Sequence, residues 1–255
     1  MTLTITPLQK IPLIHPGDDL AHIILSSLKL NDISLRNGDI LVLTQKIVSK
    51  AEGRMVDLST ITPSKDALEL ASRCEKDPRL VELILQESKA VLRVRPGSVI
   101  VEHRLGFICA SAGIDHSNVH GESGKSEDWV LLLPENPDSS ALEIRRKLET
   151  STGAQIGVMI IDSHGRAWRL GVVGTCIGLS GLPALVDERG WRDLFGYRLK
   201  ITIVSAADEL AGAASLMMGE AAEGVPVVHV RGFPFPLRES SSMELLRPKD
   251  QDLFR

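Results

Sequence analysis

The stretch that most constrains this chain is IGVMIIDSHGRAWRLGVVGTCIG, residues 156–178. Its first part, residues 157–161, is an uninterrupted apolar run of strand length, which is typical of a strand buried in a sheet. The run ends at Asp162 and Ser163, and the polar residues and glycine after them indicate a turn. A buried strand that delivers a carboxylate and a hydroxyl to such a turn predicts a metal or phosphate site.

Two further segments place an acidic residue beside an apolar run. In CASAGIDHSNV, Asp115 and Asn118 follow such a run, and in MMGEAAEGVPVV, Glu220 lies between a predicted helix and a predicted strand. We expect the backbone at each acid to be held rigidly, so that Asp115, Asp162 and Glu220 converge on a divalent cation. A lone Asp at a strand end is more often a cap or turn residue, so both interpretations stay open.

The chemistry of the donors indicates which cation such a site would hold. Carboxylates with a hydroxyl (Ser163) and an amide (Asn118) suit a hard cation, Mg²⁺ or Mn²⁺, better than zinc. Magnesium is commonly completed by substrate phosphates, which favours a nucleotide. The basic residues that would neutralise phosphate oxygens are Lys46, Lys50, Arg166 and Arg169. A solvated basic face is the alternative interpretation of these four residues.

Two glycine-containing motifs do not match the nucleotide-binding patterns that they resemble. GESGKS, residues 121–126, has Val119 where a P-loop needs its first glycine, and no strand leads into it. The spacing of Gly171, Gly174 and Gly178 is not that of a dinucleotide site, and the pattern leaves tight packing and close phosphate approach equally open.

The residues around Asp115 also argue against a zinc site. His116 and His120 lie four apart beside Asp115, but no glutamate base lies between them and the segment runs into a glycine-containing loop. Histidines in such loops are usually solvated.

Composition narrows the class of partner. The chain has 255 residues, enough for one domain or two intimately joined halves, and its three cysteines form no CxxC, as expected of reduced thiols in a cytoplasmic protein. No apolar run approaches membrane-spanning length, and the first residues lack a signal-peptide layout. Well-mixed charges with a net of −4 and 4% aromatics argue against nucleic acid. We therefore expect small-molecule partners and no membrane or nucleic acid.

The periodicity predicts an α+β or mixed α/β fold, with mixed and antiparallel sheets and flanking helices. The predicted strands are residues 2–6, 40–43, 91–94, 98–102, 107–110, 130–133, 157–161, 199–204 and 225–230. The predicted helices are one from Leu20 with an Asp as N-cap, then residues 63–75, 78–89, 140–150 and 206–218. Residues 119–128 are expected to form an exposed loop, and residues 191–197 an irregular segment or short helix. The tail from Pro234 is charged and proline-bearing.

At these residues the sequence resembles a known family. IPLI, TQKIVSKAEGR, AGIDHSNV, IIDSHGRAWRLGVVG and LMMGEAAEGVPVVHVRG occur in the order found in the coenzyme F420-0:L-glutamate ligases. The resemblance covers nearly the whole chain. It implies a GTP-dependent γ-glutamyl ligase that extends the tail of a deazaflavin cofactor, with a mixed α/β fold and an intertwined homodimer. It also implies one ligase unit over residues 1–255, without the C-terminal flavin-binding domain of some relatives.

The resemblance further implies roles for particular positions. Asp115 and Asp162 would bind one Mg²⁺ or Mn²⁺, and Ser163 and Glu220 a second, with K⁺ as an additional candidate. The residues expected around GTP are Ile11, Pro12, Leu13, Ile14, Gln45, Lys46, Lys50, Asn118, Met218, Gly219, Glu220, Ala221, Ala222, Glu223, Gly224 and Val225. Two pairs of adjacent residues differ from those found in the family. Ser163-His164 stands where Thr-Asn is frequent, and Gln45-Lys46 replaces smaller residues of some members.

The implied partners are GTP, L-glutamate and the cofactor precursor F420-0, and the implied catalytic residues are Asp115, Asp162 and Glu220. Such a site would transfer the γ-phosphoryl group of GTP to a substrate carboxylate, and the amine of glutamate would then displace phosphate. For Asp162 and Ser163 to face different cations, we expect the strand to break there, with Gly165 permitting the break. A metal-dependent phosphohydrolase and a non-catalytic nucleotide-binding regulator are the alternatives.

Overall fold

The structure is a computed structural model that describes residues 2–121 and 128–253. The strands are β1 (Thr4–Pro7), β2 (Ile40–Thr44), β3 (Met55–Asp57), β4 (Ser88–Arg95), β5 (Ser98–His103), β6 (Ile108–Ala110), β7 (Trp129–Leu131), β8 (Gly157–Arg166), β9 (Arg169–Ser180), β10 (Val186–Asp187), β11 (Ile203–Val204) and β12 (Val227–Arg231). The helices are α1 (Leu20–Leu30), α2 (Gln45–Ala51), α3 (Lys65–Cys74), α4 (Pro78–Gln86), α5 (Pro137–Thr152) and α6 (Ala206–Met218).

A five-stranded mixed sheet in the order β1-β12-β2-β8-β9 lies at the centre of the molecule. Its one parallel pair joins β2 to β8, with Thr44 opposite Ile161, and its other neighbours are antiparallel. Smaller sheets join β3 to β7, β10 to β11, and β4, β5 and β6 in that order. The predicted α+β class with mixed and antiparallel sheets is confirmed.

The period-two alternation of β2 and β8 buries both faces of the central sheet. Leu41, Leu43, Val158 and Ile160 point into a core that α1 and α5 cover. Their sequence neighbours point the other way, into a core that α6 covers. Two-sided burial explains why these strands appear in the sequence as continuous apolar runs. It also means that residues 162 and 163, which continue the alternation, project from opposite faces of the sheet.

A third apolar core lies beside the central sheet. It packs α3 and α4 against β5 and β7 through residues such as Leu70, Val81, Val99, Val101 and Val130, all buried. Phe107 contacts both this core and the core under α1 and α5. Phe107 therefore links these two cores.

Several helix boundaries follow the capping rules that the sequence obeys. Asp19 caps α1 by accepting from the backbone N–H of Ala21, as predicted. Helix α6 spans the predicted residues and ends at Gly219, whose φ of 73° suits glycine. Helix α5 begins at Pro137, three residues earlier than predicted, because Asn136 accepts from the backbone N–H of Ser139 and caps it.

The prediction that a turn follows Ile161 is wrong. Strand β8 continues to Arg166 and pairs with β9, with Asp162 opposite Thr175 and Gly165 opposite Val172. Gly165 therefore still pairs within the strand, and the register shifts at two places, between Ile160 and Ile161 and between Gly165 and Arg166. This part of β8 belongs to a hairpin that extends beyond the core, and its polar residues are of the same types as those of a loop. The sequence alone therefore indicated a turn.

Other segments differ from the predictions in extent. Of the predicted strand at residues 199–204, only Ile203 and Val204 pair, because β10 offers only two residues. Residues 191–197 are irregular, which is one of the two predicted alternatives. In the predicted exposed loop at 119–128, Val119 is buried, while residues 122–127 lie outside the described part of the chain.

The tail after β12 is tied down along the molecule. The hydroxyl of Ser240 donates to the carbonyl of Leu182, and the backbone N–H of Ser242 donates to Asp138. Farther on, Lys249 pairs with Glu102 on β5 at 2.9 Å. Within the described residues, no helix has the length and apolarity to cross a membrane.

Candidate functional site

A concave site lies where the parallel strands β2 and β8 end. Carboxyl ends of parallel strands meet at one edge of a sheet, and ligands commonly bind there. The cavity has a volume of about 630 Å³, within the range of about 300–1,000 Å³ typical of small-molecule sites. Thr44 and the first turn of α2 form one side, while Asp162 and Ser163 on β8 form the other.

Ser163 and Glu220 meet directly across the cavity. Ser163 projects from the α6 face of the sheet, and Glu220 follows the last turn of α6. The Ser163 hydroxyl donates to Oε1 of Glu220 at 2.8 Å. Two oxygen donors from distant parts of the chain are thereby brought to one point.

Asp115 reaches the cavity from the other side and forms an ion pair there. Its backbone is fixed by two hydrogen bonds with Leu131, and its carboxylate lies 2.5 Å from Nζ of Lys46. Ser117 also donates its backbone N–H and its hydroxyl to Asp115. Burial raises the pKa of Asp115, but Lys46 and Ser117 outweigh it and hold the pKa below its usual value. The carboxylate is therefore ionised at neutral pH.

A second lysine closes the cavity by way of Asn118. Lys50 donates to the carbonyl of Asn118 at 2.7 Å, and the Asn118 amide donates to the carbonyl of Ala221 at 2.9 Å. Burial, with the neighbouring charge of Lys46, lowers the pKa of Lys50. These bonds connect α2, the loop after Asp115 and the loop after α6 into one wall.

All sixteen residues predicted to surround GTP line this one cavity. Their binding role stays a prediction, but the structure brings them together from four separate stretches of chain. The cavity wall also contains residues that were not predicted to belong to the site. They are Thr44, Ile47, Ser117, Ile161, Val172, Ser215 and Pro226. Ser117 carried a signal that could have been used, because a Ser two residues after an Asp often forms an Asx turn.

The three predicted carboxylates line the same cavity without forming a ready-made metal cluster. In the described part of the chain, no three Asp, Glu, His or Cys side chains approach closely enough to hold a metal ion by themselves. Asp115 is turned towards Lys46, and Glu220 towards Ser163. The donors are all oxygens and solvent or phosphate could complete the shell, so the set suits a hard cation such as Mg²⁺.

Two other sets of predicted residues lie elsewhere. Arg166 and Arg169 flank the tip of the β8–β9 hairpin, where Arg166 donates to the carbonyl of Gly171, and neither lines the cavity. Gly174 and Gly178 serve packing, since a Cβ there would lie 2.5 Å from the carbonyl oxygen of Ala211 and 2.3 Å from Cβ of Pro137, respectively. The packing interpretation of these two glycines is correct.

Comparisons with known proteins show which family the sequence belongs to. The model of the F420-0:gamma-glutamyl ligase family matches residues 9–232. A coenzyme F420:L-glutamate ligase of Methanothermobacter thermautotrophicus is 45% identical over 100% of both chains. Ligases with the same name from Methanopyrus kandleri and Archaeoglobus fulgidus are 45% and 41% identical over 100% of this chain, covering 98% and 97% of their own.

These matches first define a class: the chain is an enzyme of the ligase type. More closely, the chain belongs to the F420-0:gamma-glutamyl ligase family.

Proposed function

We propose that this chain is a GTP- and divalent-metal-dependent ligase that joins L-glutamate to the deazaflavin cofactor precursor F420-0. The observation that carries the proposal is the cavity at the ends of β2 and β8, where Asp115, Asp162 and Glu220 lie with Lys46 and Lys50. Phosphoryl transfer needs charge neutralisation and positioning more than it needs a nucleophilic side chain. Acids that bind cations, together with lysines that face phosphate oxygens, meet that need.

The proposed reaction has two steps, a phosphoryl transfer and an amide-bond formation. The acceptor carboxylate attacks the γ-phosphorus of GTP, the bond from that phosphorus to the bridging oxygen breaks, and GDP leaves. The amine of glutamate then attacks the acyl-phosphate carbon, a C–N bond forms, the C–O bond to the phosphate breaks, and inorganic phosphate departs with the proton that the amine loses. The acidic residues of the cavity would hold two divalent cations, which would supply neutralisation of the phosphate charge.

The protein's own residues have separable tasks in this scheme. Asp115 and Asp162 would hold one cation, and Ser163 and Glu220 the other. Lys46 is the counter-ion of Asp115 and would pass to the phosphates once a cation takes the carboxylate. Lys50, fixed on the carbonyl of Asn118, supplies a second positive charge beside the same wall.

Mass measurement of the products tests the reaction. We expect incubation of the protein with F420-0, GTP, Mn²⁺ and L-glutamate to raise the cofactor mass by one or more glutamyl residues. GDP release over many turnovers should depend on glutamate, because the acyl phosphate formed in the first step is discharged only when the glutamate amine attacks it. An unchanged cofactor mass would exclude the proposed ligase activity. Equal GDP release without glutamate would indicate a hydrolase.

Removal of one acid tests the cation site. We expect Asp162→Ala to lower kcat at least ~100-fold, a loss of about 2.7 kcal/mol of transition-state stabilisation. Steady-state kinetics at saturating GTP measures the loss. Asp66→Ala, which removes an exposed acid in the first turn of α3, is the matched control and should retain activity. A folded Asp162→Ala enzyme with near-normal turnover would exclude Asp162 from the site.

We also propose that the enzyme is a homodimer. Large apolar side chains are exposed at two places, the tip of the β8–β9 hairpin and the segment between β10 and β11. The exposed fractions are 87% for Trp168, 99% for Leu170, 98% for Leu194, 94% for Phe195 and 88% for Ile201. Clusters of this kind usually mark protein–protein contacts.

A further inference from the structure

His164 contacts the Asp162 carboxylate on the side of the sheet away from Ser163. Residues 162 and 164 are two apart on β8, so their side chains project from the same face. Nε2 of His164 lies 3.0 Å from Oδ2 of Asp162, and both side chains are largely buried, with 11% and 13% of their surface exposed. His164 does not line the cavity, whereas Asp162 does. The imidazole therefore lies behind the carboxylate as seen from the cavity.

The contact is close but not yet a well-directed hydrogen bond. Nε2 of His164 is buried, and no acceptor lies in line with it among the described residues. A buried N–H without an acceptor destabilises the folded state. The last torsion of an Asp side chain is soft, so a small rotation of the Asp162 carboxylate would complete the bond. Oδ1 would then be directed away from His164.

The imidazole packs against an aromatic stack. Its ring is tilted by 46° to that of Phe107, with the centroids 5.1 Å apart, and Phe107 stacks on His103 at 5.1 Å with an angle of 4° between the rings. His103 is fully buried, and its Nδ1 accepts from the backbone N–H of Leu105. Because the stack is anchored in the apolar cores, His164 cannot easily turn away from Asp162.

We infer that His164 is a positioning residue: its Nε2–H holds Oδ2 of Asp162 so that Oδ1 faces the cavity and a divalent cation. The inference rests on the proposed function, which places a cation at Asp162. Hydrogen-bond partners of metal-binding carboxylates fix the direction of the lone pairs, and their removal typically costs about 10–100-fold in metal affinity. His164 thus acts through Asp162 and does not itself touch substrate.

Two substitutions separate the nitrogen of His164 from its ring. His164→Phe keeps a ring against Phe107 and removes the N–H, whereas His164→Gln keeps an N–H donor and removes the ring. Binding of Mn²⁺ alone, followed by the electron paramagnetic resonance of the free ion without nucleotide, reports on the site independently of turnover. We expect His164→Phe to weaken one class of Mn²⁺ sites about 10–100-fold, and His164→Gln to retain most of the affinity.

Controls make each outcome decisive. Ser163→Ala should weaken the other class of Mn²⁺ sites, and thermal melting should show that each variant is folded. His164→Leu serves as a second nitrogen-free variant if the phenylalanine does not fit. A Mn²⁺ isotherm of folded His164→Phe that superimposes on that of the wild type would overturn the role of His164 alone. Equal losses in the Phe and Gln variants would also overturn it, because donation would then not be the cause. No Mn²⁺ binding by the wild-type protein would overturn the cation site itself and this inference with it.

Discussion

Glu87, the C-cap residue of α4, holds together a largely buried cluster of charged side chains. Arg54 and Arg104 donate to its two oxygens at 2.9 and 2.7 Å, and Nε2 of His103 lies 3.6 Å away. Burial by itself would raise the pKa of Glu87, but His103 and the two arginines outweigh it and lower the pKa to about 2. The cluster joins α4 and β5 to the strand region after α2, close to the stack that supports His164.

The shifted pKa predicts how stability depends on pH. The folded pKa of Glu87 lies below the unfolded value of 4.5, so its contribution is fully present above pH 4.5 and is lost as pH falls towards 2. A shift of this size corresponds to about 3 kcal/mol at neutral pH. We expect Glu87→Gln to destabilise the protein at pH 7 and the difference from wild type to shrink by about 2 kcal/mol at pH 3.

Urea unfolding of both proteins across this pH range measures the difference. Glu69→Gln, which changes an exposed acid on the neighbouring helix α3, is the matched control. A difference that stays constant from pH 7 to pH 3 would show that Glu87 is not stabilised by its charge.

At the scale of elements, β9 is built to lie directly against α6. At Gly174 the helix approaches so closely that a Cβ would lie 2.5 Å from the carbonyl oxygen of Ala211 and 2.7 Å from Cβ of Ser215. We expect Gly174→Ala to destabilise the protein by about 1–3 kcal/mol, because a helix backbone cannot yield as a flexible side chain can. Gly165 on β8 has open space at the same position and is not in the left-handed region, so Gly165→Ala is the matched control. Thermal melting distinguishes the two, and equal melting temperatures would contradict the close approach.

The same elements show what the sequence could and could not predict. Apolar runs predicted the buried parts of β2 and β8, and a small-residue helix ending in glycine predicted α6 with its observed bounds. The polar half of β8 was missed because its partner, the equally exposed start of β9, lies outside the core, and strand pairing there leaves no hydrophobic periodicity. The motifs predicted that Asp115, Asp162 and Glu220 would share one site, and all three line the same cavity. The pairing of Lys46 with Asp115 could not be predicted, because it depends on tertiary contacts that local sequence patterns do not report.

At the scale of the whole molecule, the exposed apolar surfaces predict self-association. Aspartate at Leu170 and at Phe195 would place charges in both proposed contact surfaces, and we expect the double variant to be monomeric. Light scattering after gel filtration should give the wild type a mass near twice the chain mass of 27.7 kDa, and the variant a mass near 27.7 kDa. Leu30→Asp, at an exposed apolar residue on the last turn of α1, is the matched control and should remain dimeric. A monomeric wild type would exclude the homodimer, while a dimeric double variant would place its interface elsewhere on the surface.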